Sequence, residues 1–147
     1  MSKWFYTYFP HGNKCFIVGR GTAKIYDWLM ARGECLSEEN GDMIPGGDLA
    51  VIPDATTNAF LCNMLRRSGV SRAFIGLFIY SRNRGIWVDD TPYRYTNWER
   101  GEPNYLDREI HTEMLSNGRW NNIYYKTIAS NFGYICQRPV LEGEHRD

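Results

Sequence analysis

The sequence predicts a single domain of the α+β class, with two helices in its first half and mainly strands after residue 73. Its 147 residues suffice for one domain of ordinary size but not for two, so we expect one unit over residues 1–147. The hydrophobic period changes from helical to strand-like near the middle of the chain. The seven Phe, five Trp, ten Tyr and 14 Gly are typical of a globular, turn-rich protein.

Charge and hydropathy exclude two classes of partner. Seventeen basic residues balance seventeen acidic ones, so no net field attracts nucleic acid or an anionic membrane. The longest apolar runs, such as Ala73–Tyr80, are far shorter than the roughly 20 residues that a bilayer helix needs. We therefore expect no nucleic-acid partner and no membrane insertion. Because Met1–Trp4 lacks the features of a secretory signal, either the chain starts after a removed signal or it is not secreted.

The first elements are predicted from local patterns. Aromatic and β-branched residues predict strands at Trp4–Phe9 and Cys15–Val18, separated by a turn. Thr22 is a candidate cap for a helix over Ala23–Gly33, whose apolar residues form a broad stripe. Gly33 is expected to end this helix, with Cys35 just beyond it.

A second helix is predicted after Pro53. Asp54 suits the N-cap, Arg66 and Arg67 lie favourably in the last turn, and Gly69 stops the helix. The expected buried side consists of small and apolar residues: Ala55, Ala59, Leu61, Cys62 and Leu65.

The remaining strands are predicted at Ala73–Tyr80, Ile86–Val88, Arg119–Tyr125 and Gly133–Arg138. Between the second and third of these, Asp89–Glu109 has little periodicity and much turn chemistry. A long irregular segment inside a compact domain is usually functional, so we expect the functional site there.

Five oxygen-bearing side chains lie in that segment and in the strand that follows it: Glu102, Asn104, Glu109, Asn121 and Asn122. These are the hard ligands that calcium prefers, and none would suit zinc or copper. A cis bond between Glu102 and Pro103 would direct Glu102 and Asn104 toward one point. On residues alone, however, Pro-Asn is also an ordinary turn, and an exposed Glu is usually only solvated.

From Cys15 to Cys136 the sequence resembles the C-type lectin-like domain. Five motifs in the right order carry the resemblance: Trp28-x-x-Ala31-x-x-x-Cys35, Phe74-Ile75-Gly76-Leu77, Asn97-Trp98 with Gly101-Glu102-Pro103-Asn104, Gly118-x-Trp120-Asn121-Asn122, and Tyr134-Ile135-Cys136. The resemblance implies two helices packed on small antiparallel sheets, adjacent termini, and a long loop that binds calcium and sugar.

The same resemblance assigns all five oxygen-bearing residues to one calcium. In similar domains two vicinal sugar hydroxyls coordinate the ion directly, which implies sugar contacts from Glu102, Asn104, Glu109 and Asn121. The order Glu-Pro-Asn resembles members that take the equatorial 3- and 4-hydroxyls of mannose, fucose or N-acetylglucosamine. Tyr105 is a candidate to stack on the sugar, although simple packing explains it equally well.

The chain also departs from the family pattern. Asn122 stands where Asp is usual, which leaves two formal negative charges and predicts calcium affinity at or weaker than about 10⁻⁴ to 10⁻³ M. His111 and Tyr125 occupy the positions of an inner disulfide, so we expect a looser loop without metal, with His111 a packed side chain. Phe78, Arg82 and Tyr105 replace acidic residues of an auxiliary site, so a single Ca²⁺ is expected.

The resemblance implies a disulfide between Cys35 and Cys136. Three alternatives stay open for Cys15 and Cys62: a bridge to each other, buried thiols, or a link between two chains. The expected function is a secreted lectin for mannose-type glycans, with a homodimer as a way to raise avidity.

Two other functions compete with this one. An enzyme is disfavoured, because the sequence has no phosphate loop, nucleophile elbow or zinc helix. A lectin fold that binds a protein or ice without calcium-dependent sugar recognition is the second alternative.

Overall fold

The computed structural model describes residues 8–21, 25–38, 40–124, 126–128 and 131–140. Within these residues the chain forms two helices and ten strands. In chain order they are β1 (Phe9–His11), β2 (Lys14–Arg20), β3 (Ile25–Asp27), α1 (Trp28–Leu36), β4 (Asp48–Leu49), α2 (Ala55–Ser68), β5 (Arg72–Ser81), β6 (Arg84–Trp87), β7 (His111–Leu115), β8 (Trp120–Ile123), β9 (Lys126–Ile128) and β10 (Phe132–Pro139).

One eight-stranded sheet organises the domain. Its main path runs β1-β2-β10-β5-β7-β8, with β4 pairing to β10 and β6 pairing to β5. All of its pairings are antiparallel except that of β5 with β10, which is parallel. A separate antiparallel ribbon joins β3 to β9. The fold is therefore α+β as predicted, but the large sheet is mixed rather than purely antiparallel.

The second helix has the predicted bounds. Asp54 Oδ1 accepts a hydrogen bond of 2.8 Å from the Thr57 N–H, and Gly69 ends the helix with a φ of +77°. The predicted buried face was partly wrong, because Ala55 and Ala59 are exposed. The buried residues of this helix are Thr57, Asn58, Leu61 and Leu65.

The first helix begins later than predicted. Residues 25–27 form β3, whose backbone pairs with β9, and Asp27 then caps α1 by accepting a 2.7 Å hydrogen bond from the Met30 N–H. Gly33 lies inside the helix and Cys35 in its last turn, with Ser37 as the C-cap. Thr22, and residues 4–7 of the first predicted strand, lie outside the described residues.

A disulfide ties α1 to the last strand. Cys35 and Cys136 are joined with an S–S distance of 2.05 Å and a Cα–Cα distance of 5.1 Å. Cys15 and Cys62 are not joined to each other: Cys15 is buried on β2, and Cys62 is half-buried on α2. The pairing of Cys15 with Cys62 is thus not made, because the Cys62 Sγ is directed at the β7–β8 turn, where it contacts the Ser116 carbonyl at 3.6 Å.

Across the described ranges, neither helix has the length and apolar character that spanning a membrane requires.

Replacing Cys35 with Ser should lower the free energy of unfolding by about 4 to 5 kcal/mol, because the bridge closes a loop with a sequence separation of 101 residues. Urea unfolding followed by tryptophan fluorescence would measure this loss. Cys62→Ser is the matched control, since that thiol is not bridged, and it should unfold near the wild-type midpoint. Equal midpoints for all three proteins would contradict the structural role of the bridge.

Candidate functional site

Trp120 on β8 anchors the segment between β6 and β7, residues 88–110, which we call the long loop. Its backbone N–H donates to the Asn97 carbonyl at 2.8 Å, and its own carbonyl accepts from the Glu99 N–H at 2.8 Å. The Trp120 indole N–H donates to Asn58 Oδ1 on α2, also at 2.8 Å. The middle of the long loop is thereby hydrogen-bonded to a strand of the main sheet.

Aromatic packing strengthens this attachment. The Trp120 ring meets Trp87, Tyr95 and Trp98 in edge-to-face geometry, with ring centroids 5.6 to 5.8 Å apart. The Trp98 indole N–H donates to the Tyr93 hydroxyl at 3.0 Å. Trp87 and Trp120 are fully buried and Trp98 is half-buried against the same cluster, so all three belong to the core.

The Glu102-Pro103-Asn104 motif lies further along the long loop. The Glu102–Pro103 bond is cis, as the motif suggested. Pro103 is buried, whereas Glu102 and Asn104 are half-buried at the surface. Glu102 Oε2 is buried and has no hydrogen-bond partner among the described residues. An unsatisfied buried carboxylate oxygen is costly unless a cation or a donor from a ligand reaches it.

Tyr105 starts the turn that returns the chain to β7. Its φ is +46°, and its carbonyl accepts hydrogen bonds from the Arg108 and Glu109 N–H groups, both at 3.0 Å. This turn places Glu109 beside the motif. The Tyr105 side chain itself is 65% exposed, so its ring is accessible to a ligand.

Asn122 on β8 makes hydrogen bonds to the residues on both sides of this turn, Asn104 and Glu109. Its Oδ1 accepts a 3.0 Å hydrogen bond from the Asn104 N–H. Its Nδ2 donates to the Asn104 carbonyl and, at 2.7 Å, to the Glu109 carbonyl. The side chain is completely buried. Asn104, Glu109 and Asn122 are therefore brought together, but through the Asn122 amide and the loop backbone.

The Asn121 side chain makes its hydrogen bond to Glu113 on β7 rather than to the long loop. Its Nδ2 donates at 2.7 Å to Glu113 Oε2, and its Oδ1 accepts no hydrogen bond from the described residues. Glu113 is fully buried and forms a bidentate pair with Arg72, whose Nε lies 2.6 Å from Oε1 and whose Nη2 lies 3.0 Å from Oε2. Glu113 and Arg72 were missed from the sequence. Recognising His111–Leu115 as a strand would have placed Glu113 opposite Asn121.

The pKa values of both loop carboxylates are raised by their surroundings. Burial and the negative charge of Glu109 raise the pKa of Glu102, while the Asn104 amide and Arg82 act in the opposite direction. Burial raises the pKa of Glu109, and the charges of Glu113 and Asp107 add to that rise against the effect of Arg108. Like charges held close in this way favour a bound cation.

The fit of these residues to calcium can be judged from their oxygens. In the part of the chain that the structure describes, no three His, Cys, Asp or Glu side chains are grouped so as to hold a metal, so an ion here would rely on amide oxygens as well. Glu102 Oε2, the Glu109 carboxylate and Asn121 Oδ1 accept no hydrogen bond from those residues. This oxygen set suits calcium. Asn122 fits less well, because its amide already serves the loop backbone.

His111 packs as a neutral side chain. Its ring lies 4.8 Å from that of Trp28 and 5.3 Å from that of Phe78, and burial lowers the pKa of His111 to about 4. This agrees with the interpretation of His111 as a packed residue. Tyr125, its expected partner position, lies outside the described residues.

The family of the chain follows from this fold and site together with its sequence. The model of the lectin C-type domain matches residues 26–138, which is more than half of the chain. The protein belongs to the C-type lectin domain family. It is accordingly a non-enzymatic binding domain.

Curated relatives give the same assignment. Collectin-10 of Gallus gallus is 41% identical over 80 residues, which cover 52% of this chain and 29% of that protein. C-type lectin lectoxin-Lio3 of Erythrolamprus poecilogyrus is 34% identical over 142 residues, covering 92% of this chain and 81% of that protein. The chain thus spans about 30% of the length of the collectin-10 relatives that it matches.

Solved structures share the fold. The cow C-type carbohydrate-recognition domain of CD23, crystallised in the presence of GlcNAc2Man3 oligosaccharide, has a TM-score of 0.70 and 30% identity, and the match covers 92% of this chain and 94% of that one. A calcium-independent type II antifreeze protein also has a TM-score of 0.70, at 20% identity, with 92% of each chain covered. The second likeness shows the fold alone.

Arg72→Met should destabilise the domain by about 2 to 4 kcal/mol, because it leaves the buried Glu113 carboxylate without its cation. Adding Glu113→Gln removes that charge and should restore at least about half of the loss. Chemical denaturation of the single and double variants measures both effects.

The matched control is Arg84→Met, which removes an exposed arginine from β6 and should change stability by less than about 0.5 kcal/mol. If Arg72→Met behaved like this control, the Arg72–Glu113 pair would have no structural importance.

Proposed function

We propose that the chain is a calcium-dependent carbohydrate-binding domain for mannose-, fucose- or N-acetylglucosamine-type sugars. The observation that carries the proposal is the buried, unsatisfied Oε2 of Glu102 beside a second carboxylate, Glu109. Both lie on the surface-facing part of a loop that is otherwise firmly attached to the sheet. Exposed Tyr105 adds an aromatic face at the edge of the same site.

A calcium ion at this site would offer coordination positions to two vicinal sugar hydroxyls. Glu102, Glu109, Asn104 and Asn121 supply the oxygens proposed to hold it, with Asn122 as the weakest contributor. The same carboxylates accept hydrogen bonds from the sugar hydroxyls, and the Asn amides donate to them. The Glu-Pro-Asn order and its likeness to mannose-type members support equatorial 3- and 4-hydroxyls as the preferred pair.

The comparisons support a glycan ligand without naming it. The cow CD23 domain that is 30% identical was crystallised in the presence of a mannose-containing oligosaccharide. Because the chain spans about 30% of the collectin-10 relatives, the role of any larger protein is itself a proposal. The Cys35–Cys136 bridge supports an oxidising, extracellular location. A homodimer would raise the avidity of a weak single site.

A second candidate is a calcium-independent ligand such as a protein or ice. The engagement of Asn122 with the loop backbone favours it, since that side chain is then less available to a metal. The lectin fold also occurs in the calcium-independent antifreeze protein. The intact Glu-Pro-Asn motif, with its unsatisfied carboxylate oxygen, favours the sugar ligand instead.

Calcium at 10 times its dissociation constant should stabilise the folded domain by about 1.4 kcal/mol, because a ligand that binds only the native state shifts unfolding by mass action. Mannose should raise the melting temperature further, and only when calcium is present. Differential scanning fluorimetry with calcium, with EDTA and with galactose as the control sugar measures these shifts. No calcium-dependent shift at any concentration would reject the proposal in favour of the calcium-independent ligand.

Glu102→Gln combined with Asn104→Asp should move the sugar preference toward galactose, because the donor and acceptor positions around the bound hydroxyls are exchanged. The contacts of Asn104 with Asn122 use the Asn104 backbone and survive this change. A glycan array run with and without calcium would report the preference. Asp107→Asn on the same loop alters charge at an exposed residue and serves as the control. An unchanged preference in the double variant would contradict the roles assigned to Glu102 and Asn104.

A further inference from the structure

We propose that Asn122 is a strut that holds the sugar-site part of the long loop in its binding conformation whether or not calcium is bound. The strut deepens the proposed function, because it separates the folding of the loop from the binding of the ion. It stands on hydrogen bonds within the chain, so its failure and the failure of the calcium proposal can be told apart.

The contacts of Asn122 account for most of its hydrogen-bonding capacity. Both hydrogens of Nδ2 are donated, one to the Asn104 carbonyl and one to the Glu109 carbonyl, and Oδ1 accepts from the Asn104 N–H. The two loop residues joined in this way flank the turn that starts at Tyr105. A single neutral side chain thus satisfies three backbone groups on both sides of the turn.

Rigid support lies beneath the strut. Asn122 is 0% exposed, and its backbone is paired with Thr112 of β7 in the main sheet. Trp120, two residues earlier on the same strand, packs in the aromatic cluster and makes the hydrogen bonds that hold the middle of the long loop. The strut therefore links the Glu-Pro-Asn end of the loop to the same strand that anchors the rest.

An aspartate at this position would act in the opposite way. It would replace the Nδ2 amide by an oxygen that faces the Asn104 and Glu109 carbonyl oxygens, with no hydrogen to share among them. Three oxygens without a donor repel one another unless a cation lies between them. Asparagine makes this part of the loop independent of metal, whereas aspartate would make it depend on metal.

The hydrogen bonds of Asn122 would keep the loop ordered when calcium and sugar are released. Removing calcium would remove the sugar contacts, but the Asn104 and Glu109 backbone would keep its position. The site would rebind calcium and sugar without first refolding the loop, and its exposed arginines, Arg100 and Arg108, would stay resistant to proteolysis.

The test compares wild type, Asn122→Ala, Asn122→Asp and the control Asn83→Asp in EDTA and in 10 mM calcium. That concentration is about tenfold above the weak end, roughly 10⁻³ M, of the dissociation constants of extracellular calcium modules. Asn83 is exposed and lies between β5 and β6, so Asn83→Asp adds the same charge as Asn122→Asp at a position outside the long loop. Limited trypsin digestion with mass spectrometry measures the rate of cleavage at Arg100 and Arg108.

In EDTA we expect wild type and Asn83→Asp to resist cleavage in the long loop. Both Asn122 variants should be cut about tenfold faster, because the loss of buried hydrogen bonds lets the loop open locally more often. Equal cleavage of wild type and Asn122→Ala in EDTA would overturn the strut. Calcium should slow cleavage of Asn122→Asp to the wild-type rate. A lack of rescue there counts against the calcium site and leaves the strut standing.

Hydrogen exchange on the wild-type protein keeps the proposal testable even where a variant fails to fold. In EDTA the Asn104 amide should exchange at least about tenfold more slowly than an unstructured amide, because it donates to the buried Asn122 Oδ1. An Asn104 amide that exchanges at the unstructured rate would refute the strut.

Discussion

The antiparallel pairing of β7 with β8 is the constraint on which the site depends. In a strand, adjacent side chains point to opposite faces. Trp120 and Asn122 therefore face the core cluster and the long loop, while Asn121 lies on the other face, beside Glu113. The four-residue strand β8 thus carries the loop anchor Trp120, the loop contact Asn122, and Asn121, which hydrogen-bonds to the Arg72–Glu113 pair. A shift of register by one residue would move each of these side chains to the opposite face of the sheet.

Sequence reasoning succeeded where structure is decided by neighbouring residues. The bounds of α2 follow from an N-cap at Asp54 and a left-handed Gly69, and both signals lie within the helix or beside it. The start of α1 failed for the opposite reason. Residues 25–27 pair with β9, about 100 positions away, and that ribbon overrides the helical stripe read from Ala23 onward.

β7 was missed because two of its three buried residues are polar. Thr112 and Glu113 are both fully buried, which a hydrophobic pattern cannot indicate. The burial of Glu113 is tolerated because Arg72 from β5 and Asn121 from β8 supply its hydrogen bonds. Candidate ligands could be found from a local motif. The hydrogen bonds of the Asn122 side chain could not be predicted in this way, since they depend on where the backbone of Asn104 and Glu109 lies.

In the proposed calcium site, Asn122 would exert two opposing effects on the bound ion. Compared with aspartate it removes one negative charge from the surroundings of the ion, which weakens attraction. In a loop that folds only around its metal, part of the binding free energy is consumed in ordering the chain. Where the Asn122 amide already orders Asn104 and Glu109, the binding free energy is not consumed in ordering the chain and is retained for holding the ion. The calcium affinity of the proposed site would therefore be set by the difference between lost charge and gained preorganisation, and a count of carboxylates alone would underestimate it.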